Sequence, residues 1–97
     1  MERFGLSDKN LEAIKAVLRK YDEIESVKIF GSRAKGNFKR YSDIDLALFG
    51  DFELKTLMEV RASLEELDVI YQFDVVHYES LKNEELQRHI DRVGVEI

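Results

Sequence analysis

The run Val27–Phe49 reads VKIFGSRAKGNFKRYSDIDLALF. It opens as a short apolar strand, turns at Gly31-Ser32, crosses a basic polar segment and returns as a second strand, Asp43–Phe49, headed by two aspartates. Strand side chains alternate faces, so Asp43 and Asp45 point the same way, roughly 6.5 Å apart along the backbone, while Ile44, Leu46 and Leu48 point toward a core. Two carboxylates at that spacing repel each other unless a cation lies between them. Mg2+, which takes a few carboxylates together with substrate phosphates, suits such a pair. Solvated acids on a surface strand are the plain alternative.

Upstream, Leu6-Ser7-Asp8 has the form of a helix start: Ser7 as N-cap, Asp8 against the positive end, and Leu6 with Leu11 as a hydrophobic staple. Leu11, Ile14, Val17, Leu18 and Tyr21 recur at helical spacing, which predicts a covering helix ending near Asp22, with Tyr21 as packing. Ser26–Phe30 follows as the first strand. Arg33-Ala34-Lys35 reads as the first turn of a short helix that Gly36 stops. A helix starting right after a strand offers unpaired backbone N–H groups to a phosphate. Gly31 permits close approach there and the Ser32 hydroxyl adds a donor. Alone, a Gly-Ser after a strand is equally an ordinary turn.

Downstream, Asp51 is a candidate cap for a helix with Leu54, Leu57, Met58 and Leu64 as its apolar stripe and Leu67 at its end. Arg61, beside that stripe, reads as a partner for an aspartate or as a snorkelling side chain. Tyr71–Val76 is the third strand, with Phe73 and Val75 on one face and Asp74 on the other, a charge placed as Asp43 and Asp45 are. A last helix begins near Asn83, carries Leu86, Ile90 and Val93, and closes at Gly94 as a C′ glycine. Val95–Ile97 reads as a short terminal strand.

Ninety-seven residues suit one domain, residues 1–97, with no room for a separate substrate domain. There is no apolar run of membrane-span length and no signal-peptide pattern, so a cytoplasmic location is the expectation. The absence of cysteine excludes disulfides, thiolate zinc sites and cysteine nucleophiles, and two histidines, His77 and His89, are too few for a histidine metal site. The formal charge of −5 argues against general nucleic-acid binding. Yet Lys28, Arg33, Lys35, Lys39 and Arg40 cluster between Val27 and Ser42 with no acid among them, leaving −10 for the rest. A basic island beside acids suits a small polyanion arriving with its metal; solvated loop cations are the bland reading.

Asp43, Asp45 and Asp74 on neighbouring strands, with Gly31-Ser32 at a third strand end, together compose a site for a nucleoside triphosphate and two metal ions. In that reading Asp74 also assists deprotonation of an acceptor hydroxyl, and Lys35, Lys39 or Arg40 spreads the charge of departing pyrophosphate. Rival phosphate chemistries fit less well. The second glycine and Lys-Ser/Thr of a P-loop are missing. Arg40-Tyr41-Ser42 precedes the acids where an aspartyl phosphatase has an apolar strand, and a sugar transferase needs a larger nucleotide domain.

The run GSRAKGNFKRYSDIDL, with ten residues between Gly31-Ser32 and Asp43-Ile44-Asp45 and the later QFDVV, resembles the signature of the DNA polymerase β-like nucleotidyltransferase superfamily. Within it the chain is most similar to the minimal, MntA-like antitoxin nucleotidyltransferases, over nearly its whole length. The resemblance implies an α/β (α+β) fold, a small mixed sheet flanked by helices. It also implies Mg2+-dependent transfer of a nucleoside monophosphate, AMP from ATP, to a tyrosine of a helical HEPN-type toxin. Gly31 and Ser32 match the phosphate-binding pair and Asp43, Asp45 and Asp74 the metal carboxylates. Arg33 matches a usual arginine, either a structural ion pair or a nucleotide contact. The helical domain by which larger relatives embrace nucleotide and acceptor is missing, so a partner chain or a second copy is expected to complete the site. Two other functions stay open: a binding module that masks the HEPN partner without catalysis, and transfer to a small molecule.

Overall fold

The computed structural model describes residues 2–97. Helix α1 (Asp8–Leu18) is capped as expected, the Ser7 side chain accepting from the Asn10 amide at 3.1 Å. It ends earlier than the apolar spacing predicts. Lys20 and Tyr21 bond back three residues, to Val17 and Leu18, in tight turns. Tyr21 thereby leaves the helix, and its hydroxyl pairs with Ser63 Oγ at 2.8 Å.

Strand β1 (Ser26–Phe30) runs into the one-turn helix α2 (Gly31–Lys35), which Gly36 ends in the left-handed region at φ 89°. After a loop come β2 (Ile44–Phe49), α3 (Leu54–Glu65) and β3 (Phe73–His77). A single 3-10 turn, Tyr78–Ser80, precedes α4 (Glu84–Val93), whose cap is the Asn83 side chain, and β4 (Val95–Glu96) closes the described chain. The sheet order is β3-β2-β1-β4. β2 and β3 are parallel across the α3 crossover, whereas β1 is antiparallel to both β2 and β4. The sheet is therefore mixed, as expected.

One sheet face carries Val27, Ile29, Ile44, Leu46, Leu48 and Val75, all buried against α1 and α3. The opposite face is covered only in part, where Ile90 of α4 packs on Phe30 and Ala47. Beyond that patch, at the N-terminal ends of β2 and β3, this face carries aspartates instead of apolar residues.

Four sequence expectations differ from the structure. Asp51 does not cap α3; Glu53 holds that position and makes no side-chain cap bond. The buried stripe of α3 is Leu57, Val60 and Leu64, while Leu54 and Met58 are 69% and 52% exposed. At 100° per residue those two sit about a quarter to a third of a turn from the buried face. Gly94 has φ −63°, not a left-handed C′ conformation. A Cβ there would instead collide with the Ile90 carbonyl, so the constraint is steric. Arg61 is neither ion-paired to an aspartate nor snorkelling: Nε and Nη2 donate to the Val75 carbonyl at 3.1 and 2.7 Å, tying α3 to β3.

Leu46→Ala, in the fully buried centre of β2, should cost about 2–5 kcal/mol in urea denaturation. Leu54→Ala should stay within about 0.5 kcal/mol. Equal losses would contradict the observed orientation of α3.

Candidate functional site

Pairing register alone brings the carboxylates together. In the parallel ladder Asp45 lies opposite Asp74, and in the antiparallel ladder the same Asp45 lies opposite Phe30, the residue before Gly31. The end of β1 and the starts of β2 and β3 thus meet at one edge of the uncovered face. Gly31 adopts φ 71°, and a Cβ on it would run into the Asp45 carboxylate oxygen Oδ2. Only glycine fits there, both for its backbone and for its closeness to that carboxylate.

Asp45 is half-buried, with its pKa raised to about 6. Burial is the largest cause, followed by the charges of Asp74 and Asp43, with Arg33 opposing them. Asp43, just before β2, and Asp74 are themselves exposed. A half-desolvated acid crowded by two like charges is an arrangement that a divalent cation relieves. Among the described residues no three Asp, Glu or His side chains form a ready-made metal cage. That is compatible with Mg2+, which keeps waters and takes phosphate oxygens alongside few protein ligands. The donor set fits the ion.

Helix α2 starts at Gly31, so Ser32 lies in its first turn, where backbone N–H groups lack intrahelical acceptors. With five residues its contribution comes from those donors more than from a macrodipole. Lys35, Lys39 and Arg40 are all exposed, Lys35 at the end of α2 and the other two on the loop before Asp43. Lys28 leaves the basic island: its ammonium lies 5.4 Å from the centre of the Phe49 ring.

Arg33 is the residue whose surroundings differ most from expectation. It is 2% exposed and makes no ion pair among the described residues; its guanidinium donates to the backbone carbonyls of Phe4, Arg40 and Ser42. Phe38 and Tyr71 stand against it, with ring centres 5.1 and 4.7 Å from the guanidinium carbon. Phe4 and Phe38 fall in no periodic pattern of the sequence, and Tyr71, expected to open the third strand, lies ahead of β3, which starts at Phe73. The available signal was the aromatic-glycine pair Phe4-Gly5 ahead of the Ser7 cap, which has no helical role.

The polymerase beta nucleotidyltransferase model matches residues 12–97, which include every carboxylate, glycine and serine of this edge. The chain belongs to the polymerase beta nucleotidyltransferase family. Among curated proteins it is similar to the probable protein adenylyltransferase MntA of Haemophilus influenzae, at 29% identity over 98% of this chain and 84% of that protein. Among solved structures, a toxin-antitoxin complex with AMP-PNP superposes with TM-score 0.71 and 25% identity, over 88% of this chain and 69% of that one. The MNT antitoxin complex of a tri-AMPylated Shewanella oneidensis HEPN toxin gives TM-score 0.69 at 21% identity, over 94% and 71%. The fold of this nucleotidyltransferase is that of polymerase β-like relatives, as its resemblance implied.

The raised Asp45 pKa has a consequence for stability. Between about pH 4 and pH 6 the folded chain holds a proton that the unfolded chain, whose aspartate has its ordinary value of 3.8, has released. Stability of the metal-free protein should therefore fall as pH rises from about 4 to about 6 and level off above. Asp45→Asn should remove that fall. The variant should be about 1–2 kcal/mol more stable than wild type at pH 7, after allowance for solvent screening, and show no gain at pH 3.5. Urea denaturation at the two pH values checks this, and a variant less stable at pH 7 would contradict it.

Proposed function

We propose that the protein is a protein adenylyltransferase, the antitoxin of a toxin-antitoxin pair, which moves AMP from ATP to a tyrosine hydroxyl of a helical HEPN-type partner. The observation that carries this reading is the register that sets Asp45 across from Asp74 with Gly31 against it. It is the juxtaposition of acids and phosphate-approach backbone that nucleotidyl transfer needs. Family membership supports the reaction class. The curated relative's name supports a protein acceptor, and the solved complex supports a toxin partner and an adenine nucleotide.

In this reading Asp43, Asp45 and Asp74 hold two Mg2+ ions, which when bound neutralise phosphate charge. The Ser32 hydroxyl and the first-turn N–H groups of α2 orient the β and γ phosphates. Lys35, Lys39 and Arg40 stand on the exposed rim, where they offset the charge of pyrophosphate as it leaves. Asp74 accepts the proton of the acceptor hydroxyl as that oxygen attacks the α-phosphorus. The edge bearing these groups is uncovered, which leaves room for an acceptor supplied by another chain, the HEPN partner in the first place and a second copy in the alternative.

Incubation with Mg2+, each of the four nucleoside triphosphates and a helical partner encoded beside it should raise the partner's mass by nucleotide monophosphate units, most with ATP. The gain should map to tyrosine and vanish with Asp43→Ala plus Asp45→Ala. An unmodified partner, or modification that survives the double substitution, would sink the proposal. A double variant that still silences an unmodified partner would identify masking in place of catalysis.

A further inference from the structure

A buried cation is stable only where its lost hydration is replaced, and Arg33 achieves this with carbonyl oxygens in place of a carboxylate. Nη1 donates to the Phe4 carbonyl at 2.8 Å, and Nη2 donates to the Arg40 carbonyl at 3.3 Å. Nε and Nη2 together hold the Ser42 carbonyl at 3.1 and 2.9 Å. That last oxygen belongs to the peptide unit whose nitrogen is Asp43's. Arg33 itself follows Ser32 directly. One side chain therefore spans from the phosphate-facing turn of α2 to the peptide that carries the first carboxylate.

The loop it holds is otherwise lightly tied. Lys39 N donates to Ser42 Oγ at 2.8 Å and Ser42 N to the Lys39 carbonyl at 3.1 Å, bonds that close the loop on itself and leave its position unset. The N-terminal turn completes the grip. Phe4 has φ 59°, a left-handed conformation that a bulky residue adopts only when its surroundings impose it. Gly5 follows at φ 71°, and a Cβ there would collide with the Phe38 ring and stand 2.9 Å from Arg33 Nη1. The turn is strained and tightly packed at the point where its carbonyl meets the guanidinium.

We propose that Arg33 is a positioning residue that sets Asp43 relative to Gly31 and Ser32, clamped in place by the strained Phe4-Gly5 turn. It acts through the loop and makes no contact with nucleotide. This inference rests on the proposed nucleotidyl transfer for its kinetic consequence but not for its structural one. Lysine carries the charge yet lacks the planar fork that reaches three carbonyls, so it is the informative replacement.

In full-length Arg33→Lys, amide exchange at Lys39 and Ser42 should accelerate at least about tenfold, while the β1 amides stay protected. Affinity for Mn2+, used as the metal probe, should weaken about tenfold, as when a residue supporting a metal ligand is lost. With the transfer reaction in hand, kcat should fall about 100-fold while KM for the nucleoside triphosphate stays within about threefold. Gly5→Ala, which leaves Arg33 in place, should reproduce the same pattern and serves if Arg33→Lys does not fold. Unchanged exchange at Lys39 and Ser42 would overturn the proposal. So would faster exchange with wild-type Mn2+ affinity and kcat, which marks a purely structural role, or a raised KM with wild-type kcat, which marks a direct nucleotide contact. A wild-type chain that transfers nothing would count against the proposed function, and Mn2+ affinity and exchange would still decide the role of Arg33.

Discussion

The Asp45 carboxylate lies against the backbone of Gly31 and opposite Asp74, half-buried, with Asp43 close enough to help raise its pKa to about 6. A folded chain gains nothing for its own stability from that crowding, because each neighbouring negative charge disfavours the ionised form. The surrounding architecture is what makes the arrangement tolerable. Ile44, Leu46 and Leu48 alternate with the acids and are fully buried, so β2 is anchored through one face while the other carries charge. Local instability at the edge is offset by the core beneath it, a division common at sites that bind metal or substrate.

The same register explains how the acids and the Gly31 turn come together. A parallel β2-α3-β3 crossover brings the starts of two strands side by side, and the antiparallel β1 delivers its end to the same place. Three separate chain segments thus share one sheet edge. Helix α4 covers the neighbouring apolar patch of Phe30 and Ala47 and also packs against α2.

Features governed by local chemistry were legible in the sequence: the Ser7 cap, strand β1 to its exact ends, the Gly36 stop after α2, and the alternation of Asp45 with a buried aliphatic ladder. Features decided by tertiary packing were not. The rotation of α3 is set by its docking on β3, which favours Val60 over Leu54 and Met58 although all three are apolar. Arg33 was readable as a charged residue in a motif. Its burial depends on a carbonyl 29 residues away in sequence and on two aromatic rings that no periodicity connects to it. The candidate site was legible because Asp45 and Asp74 follow strand alternation, with Asp43 just ahead of β2, while the contacts of Arg33 are to backbone oxygens that carry no sequence signature.

The central claim is that the acids of this edge bind nucleotide through a divalent ion. Calorimetric titration of the protein with a non-hydrolysable ATP analogue, in Mg2+ and again in a chelator, tests it most directly. Tight one-site binding that requires Mg2+ is the predicted result; equal affinity in the chelator, or no binding in either, would contradict the account.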